Sequence, residues 1–338
     1  MATIKDVASL AGVSVSTVSV IINGKAEERK ISGQTIQKVN SAIRELNYQP
    51  SVSARRLRSN QSNVYTVGVF WASDFRMSLL SRFMTGLQSE LMKLNTAVDI
   101  TICPYESDKL KNEKRLYSIN SYNAVIIANT SDEDNEYISR NPIPVPVVLF
   151  NRESEIYHTV GTDNAAAGRK AAEHLISAGA RRVTMLCQKT SYLAMTKRSD
   201  AFIKTCLENN IEITKKDIVY ADGSIAGGAE AGNDLYRKYK LTDAVYCDND
   251  SMAQGFLHAM NKNNVSVPDD VQVIAIGLGN YEFNKFFNPS ITVVDVPMEM
   301  MAAQCIKTVT EVASHELTAP SRTAFESVLH VRGTTKNI

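Results

Sequence analysis

The chain has 338 residues, 44% of them hydrophobic, and a formal net charge of +1. That is ample for more than one packed core and excludes a disordered or supercharged chain. No apolar run approaches the length of a membrane span and the N-terminus has no apolar signal region, so a cytoplasmic protein without membrane contact is expected. Five widely spaced cysteines (103, 187, 206, 247, 305), none in a CxxC pair, read as buried reduced thiols.

The first elements are two short helical patterns joined at Gly12. Thr3 and Asp6 are spaced as a capping box, and Ile4, Val7, Ala8 and Ala11 share one face. The second pattern, residues 14–22, sets Val13, Thr17, Val18, Ile21 and Ile22 towards the first helix. Ser14, Ser16, Thr17 and Ser19 crowd its start. Hydroxyls and free amides at a helix start can bond phosphates and base edges, so this reads as a helix-turn-helix with residues 14–22 as recognition helix. A third helix is predicted over Ser32–Tyr48, capped by Ser32 and carrying Ile36, Val39, Ile43 and Leu46 on its stripe. Residues 1–60 hold nine basic and four acidic side chains, a net +5 that leaves about −4 for the rest. A basic helical head on a slightly acidic body is the charge segregation expected of a DNA-binding protein.

The segments MATIKDVASLAGVSVSTVSVIIN, ELNYQP and ARRL resemble the lactose/galactose-repressor family of bacterial transcription regulators, and the similarity runs to about residue 332. The resemblance implies DNA contacts at Thr3, Ile4, Ser14, Val15, Ser16, Thr17, Ser19, Val20, Asn23, Ser32, Thr35 and Tyr48. It also implies a hinge helix that folds on the operator, with Ala54 and Leu57 at the minor groove. Leu57 lies between Arg56 and Arg58, an apolar wedge flanked by cations. The family's base-reading position at Val20 usually carries a long polar side chain. Valine can only touch a thymine methyl, which shifts weight to Ser16, the hinge and DNA shape.

From Val64 onward strands and helices alternate. Expected in order are the strand VYTVGVFW, a helix over Ser78–Asn95, the strand AVDITIC, a helix near Lys111–Ser121, AVIIAN, a helix at Asp132–Arg140 and VPVVLF. After TVGTDN come a helix at Ala165–Ala178, RVTMLC, a helix near Lys197–Asn209, DIVYA, and a helix over 229–239. AVYC, a helix at Ser251–Asn261 and VQVIAIG follow. Continuous apolar strands between helices indicate two doubly wound parallel sheets. PSITVVDVP is expected to return to the first lobe and FESVLHVRG to end in the second. The fold class is therefore an all-α helix-turn-helix head plus an α/β body, which the resemblance makes periplasmic-binding-protein-like with crossovers near 158–164, 288–293 and 318–324. The expected division is a head at 1–49, a hinge at 50–61 and an effector-binding and dimerisation domain at 62–338. The first subdomain would take about 62–160 and 292–320, the second about 161–290 and 321–338.

A ligand in such a body sits outside the carboxyl ends of the strands. The residues there are Trp71, Ser73, Asp74, Phe75, Asn129, Thr130, Asn151, Arg152, Asn249 and Asp250. The resemblance adds Arg198 as the effector-gripping arginine opening its helix, and matches Asn249-Asp250 and Asn151 to strand-end ligands. The effector-binding set is thus Ser73, Asp74, Phe75, Asn129, Asn151, Arg198, Asn249 and Asp250, suited to a sugar-like polyol, a related metabolite or a small anion. Two departures bear on the ligand: Gly277 stands where the family commonly has a gripping aspartate, and GSIAGG lacks an aromatic platform. Tyr281 or Phe283 is a possible source of a ring. The glycine clusters do not complete a nucleotide fingerprint, and the five histidines do not cluster, so no enzyme, cofactor or metal site is expected. Apolar residues on more than one stripe of the helices at 79–92 and 298–312 point to a homodimer on a two-fold DNA operator. The rival reading is a soluble small-molecule carrier sharing the clamshell, against which the basic head stands.

Overall fold

The computed structural model describes residues 3–337 apart from 23–25, 27–28, 47, 49–63, 75–76, 78, 95–96, 120, 190–191, 239–240 and 315. Asn23, Ala54, Leu57 and Phe75 lie outside the described residues.

The head is built as its caps dictate. The Thr3 hydroxyl accepts from the Asp6 amide at 3.3 Å and the Asp6 carboxylate accepts from the Thr3 N–H at 2.7 Å, opening α1 (Ile4–Ala11). Gly12 ends it at φ 65°, a left-handed geometry that glycine adopts without a Cβ penalty. Ser14 opens α2 (Val15–Ile22) by accepting from the Thr17 amide at 3.0 Å. Ser32 caps α3 (Gly33–Glu45), which stops short of the predicted Tyr48 because Leu46 takes the C-cap. Val7, Ala8, Val18, Ile21, Val39 and Ala42 bury the seam between the three helices.

The first sheet gathers β1 (Val64–Ala72), β2 (Ala97–Tyr105), β3 (Ala124–Ala128), β4 (Val147–Phe150), β5 (His158–Thr162) and, much later, β11 (Arg322–Phe325), in the order β11-β5-β4-β3-β1-β2. Between them lie α4 (Leu80–Leu91) and α5 (Asp132–Arg140). The second sheet runs β12-β10-β9-β8-β6-β7, from β6 (Val183–Gln188), β7 (Ile218–Ala221), β8 (Ala244–Cys247), β9 (Gln272–Gly277), β10 (Thr292–Asp295) and β12 (Val328–His330). Its helices are α6 (Asn164–Ser177), α7 (Leu193–Glu208), α8 (Ile225–Arg237), α9 (Asp250–Lys262) and α10 (Tyr281–Phe286). Finally α11 (Met298–Ala313) packs back against α4, β3, β4 and β5 of the first lobe. Strand pairs are parallel except β10 with β12. Every residue of β3, β4, β6, β8 and β9 is buried, as strands covered on both faces require.

Several local expectations change. Among the described residues of 111–121 there is no α-helix but two single 3₁₀ turns, Leu110–Asn112 and Lys114–Tyr117. The Asp134 carboxylate accepts from the amides of Asp108 and Leu110, both at 3.0 Å, so tertiary bonds fix the turn before a helix can propagate. The segment HTVGT is a strand, and the crossover expected near 158–164 falls at its end, at residue 163. Its polar side chains hid it, and they are satisfied inside: Thr162 donates to the Phe325 carbonyl at 2.7 Å. PSITVVDVP does not return to the first lobe, because β10 extends the second sheet beside β9. The chain therefore changes sheets at residues 163, 296–297 and 326–327. The helices at 193 and 225 start four residues earlier than expected, drawing the IAGG part of GSIAGG into α8 with Ser224 as its cap. That face needs glycine for contact: a Cβ on Gly228 would stand 2.2 Å from the Met252 carbonyl of α9. The five cysteines are free and buried.

Candidate functional site

On the head, the start of α2 is a compact hydroxyl cluster. Ser14 Oγ lies 2.7 Å from Ser16 Oγ and 2.8 Å from Thr17 Oγ1. Ser14 and Ser16 are exposed, Thr17, Ser19, Val15 and Val20 half-buried, and Val18 and Ile21 turned inward. Thr3 and Ser32 are also exposed, with Ile4 and Thr35 beside them half-buried. Tyr48 differs: it is 8% exposed and packed in the head core, so it offers the least surface of the set.

In the body, a cleft of about 430 Å³ opens between the carboxyl ends of the two sheets. Of the expected effector residues, Asn129, Asn151, Arg198, Asn249 and Asp250 line it. Ser73 and Asp74 do not; Asp74 instead accepts from the Tyr192 hydroxyl across the lobes at 3.5 Å. Trp71 is fully buried against Phe83, 5.0 Å between ring centroids, and serves the first core. Thr130 is likewise buried and outside the lining, whereas Arg152 belongs to it.

The backbone aims these groups. Asn129 and Asn151 end β3 and β4 at φ 59° and 53°, left-handed positions that asparagine tolerates and that turn the chain across the sheet edge. Arg198 does not open its helix. It lies in the second turn of α7, where Gly168 of α6 touches its backbone closely enough that a Cβ would come within 2.0 Å of the Arg198 carbonyl oxygen. Arg198 Nη1 donates to Asn164 Oδ1 at 2.8 Å, and Asn164 Nδ2 donates to Asn151 Oδ1 at 3.2 Å. A relay of side chains thus joins α7 of one lobe to β4 of the other.

Asn249, not Asp250, caps α9: its Oδ1 accepts from the Met252 amide at 2.8 Å while its Nδ2 donates to the Gly223 carbonyl at 3.1 Å. Asp250 accepts from the Gly279 amide at 2.9 Å and from Asn284 Nδ2 at 2.6 Å. Burial pushes its pKa up, against those bonds. Of Gly277 and Gly279 it is Gly279 that lines the cleft, while Gly277 ends β9 beside Asp295. Of the two rings considered, Phe283 lines the cleft; Tyr281 does not, its ring instead lying 4.8 Å from the Arg332 guanidinium.

The hinge side holds a residue that sequence reasoning missed. Arg82, on α4 and 7% exposed, donates to Glu299 at 2.6 Å from both Nε and Nη2 and pairs with Asp295 at 3.3 Å. It also reaches the carbonyls of Leu278, Gly279 and Val296. Burial drives the Asp295 carboxyl up to about 6, outweighing the pull of Arg82. Gln188, Tyr192, Met298 and Met301 also line the cleft and were missed as well. Gln188 and Tyr192 had a signal, since they flank the carboxyl end of β6.

Residues 3–51 match the model of bacterial regulatory proteins of the lacI family, and residues 172–335 that of a periplasmic binding protein-like domain. The chain is 30% identical over 306 residues to the HTH-type transcriptional repressor PurR of Vibrio parahaemolyticus, spanning 88% of this chain and 87% of that repressor. It is 25% identical over 342 residues to the PurR of Actinobacillus pleuropneumoniae, spanning 100% and 99%. Among solved structures, a LacI family transcription regulator from Clostridium acetobutylicum superposes with a TM-score of 0.76 at 36% identity, over 79% of this chain and 99% of that one. With a helix-turn-helix head and a two-lobed α/β body around a cleft, this chain belongs to the lacI family of DNA-binding transcription regulators.

Proposed function

We propose that residues 1–49 are the DNA-binding head, 50–61 the hinge and 62–338 the effector and dimerisation domain of a repressor. Two copies bind a pseudo-palindromic operator, and a small molecule in the cleft sets the affinity. The observation that carries this reading is the cleft: its walls come from both sheets and from α11, and the chain changes sheets beside it. A ligand touching both walls changes their angle and hence the spacing of the paired hinges. Asn129, Asn151, Arg198, Asn249 and Asp250 form the effector set, joined by Gln188 and Tyr192. The DNA set is Thr3, Ile4, Ser14, Val15, Ser16, Thr17, Ser19, Val20, Ser32, Thr35 and Tyr48, with Asn23, Ala54 and Leu57 following by resemblance.

The dimer reading rests on α4 and α11. They pack on each other, which accounts for part of their wide apolar surface, yet Met92 and Met300 remain 76% and 59% exposed. The chain acts by binding, with no chemical step, in the compartment that holds its DNA. Deleting residues 1–60 should abolish operator binding in a gel-shift assay while ligand-induced thermal stabilisation of the body persists. A truncated chain that still bound operator would refute the assignment of the head.

A further inference from the structure

We propose that Arg82 is the positioning residue that couples the cleft wall around Gly279 to the helix pair α4 and α11; this rests on the cleft being the effector site. Arg82 lies outside the cleft lining, yet the three backbone carbonyls it reaches all belong to lining residues. Nη1 donates to those of Leu278 and Gly279 at 3.3 and 3.1 Å, and Nη2 to that of Val296 at 3.3 Å. The arginine holds that wall from behind.

On the cleft side the same backbone is held by a carboxylate. Asp250, which lines the cleft, accepts from the Gly279 N–H with both oxygens, at 3.1 and 2.9 Å. Gly279 is clamped between two buried charges, its N–H on Asp250 and its carbonyl on Arg82. Burial raises the Asp250 pKa, and Arg82 is among the groups that pull it back through space. A group that draws the Asp250 carboxylate into the cleft frees the Gly279 N–H, and the acceptors of Arg82 shift with that segment.

The guanidinium cannot move alone. Its Nε and Nη2 each donate to Glu299 of α11 at 2.6 Å, a bidentate grip that fixes orientation as well as place. One turn along α4, Gly86 meets the same residue, where a Cβ would stand 2.2 Å from the Glu299 carbonyl oxygen. Side chain and backbone pin α4 to α11 at one point, so both helices carry any displacement of Arg82. Met92 and Met300, on which the dimer reading rests, belong to this pair.

The test is hydrogen exchange read by mass spectrometry on the full chain, with the wall perturbed by substitution. Gly279→Ala sets a Cβ 2.9 Å from Asp250 Oδ2 and displaces the carboxylate without changing charge. Asp250→Asn weakens the same bond from the other side. Each should speed amide exchange in α4 by about 2- to 30-fold while leaving α5 unchanged. Arg82→Lys keeps a cation beside Glu299 and Asp295 but lacks the fork that reaches the carbonyls. In that background α4 should no longer respond to Gly279→Ala, whatever its baseline protection. A merely structural arginine lowers the baseline and leaves the response intact. That result overturns the relay, as does an α4 that ignores both wall variants, equal acceleration of α4 and α5, or an Arg82→Lys chain that fails to fold. No ligand or DNA enters the measurement, so its failure leaves the effector reading standing. That reading is refuted separately, by a chain whose operator affinity ignores an occupied cleft.

Discussion

Two arginines buried in the body, one bonded to residues at the cleft edge and one lining the cleft, have surroundings that differ in kind. Arg82 at the hinge is saturated: Glu299 and Asp295 supply charge, and three backbone carbonyls from residues 278–296 take the remaining donor capacity. Arg198 on α7 has one hydrogen bond, to the neutral amide of Asn164, and an orphan Nε, with Asp248 acting on it only through space. Both side chains are hidden to nearly the same degree, at 7% and 2% exposure, so burial alone does not distinguish them. What separates the two is whether the fold itself completes the hydrogen-bond inventory.

That contrast is open to direct attack. The largest effect should come from Arg82→Met, which strands Asp295 and Glu299 and should lower unfolding free energy by about 3–5 kcal/mol in a denaturant titration. A loss under about 1 kcal/mol would mean that the hinge arginine is no strut. Next, Gly168→Ala should force α6 and α7 apart at the Arg198 carbonyl, costing about 2–3 kcal/mol and weakening ligand binding together with stability. Unaltered ligand affinity would show that Arg198 is not positioned by that contact.

The smallest effect is electrostatic. Asp295 is a carboxyl whose folded pKa, about 6, lies above its ordinary value of 3.8. The folded state therefore holds the extra proton between those values, and the contribution present below pH 4 is lost as pH rises through 6. Asp295→Asn removes this dependence, so its stability relative to the parent should climb by on the order of 2 kcal/mol from pH 4 to pH 7. A flat or falling difference would place the ionised carboxylate as a net stabiliser of Arg82.

Much of this was legible along the chain, for reasons that were local. The capping box at Thr3 and Asp6, the glycine turn and the apolar spacing are complete within a dozen residues. Strands buried on both faces announce themselves as apolar runs, and polar residues at their carboxyl ends fall at the cleft by topology alone, as Asn129 and Asn151 do. Arg82 left no such trace. In LSRFMTGLQ it looks like a solvent-facing helical residue, and its carboxylate partners lie 213 and 217 positions away. Asp250 left no trace of its partners either, since Gly279 and Asn284 are 29 and 34 residues on. The strand HTVGT was hidden because its inward side chains are polar, and only their distant partners make burial tolerable.

The saturation of Arg82 also has a mechanical meaning. A joint bound on every side cannot slide, so relative motion of the lobes reduces to rotation about a fixed pivot. β1 runs nine residues from Val64 to Ala72, so its start, where the proposed hinge segment attaches, lies roughly 30 Å from the cleft end of the strand. Over that lever arm a turn of only about 5° displaces the start of β1 by 2–3 Å, on the scale of a hydrogen-bond length. In the symmetric pair proposed above, two such arms would move in opposite senses and double the change in separation between them.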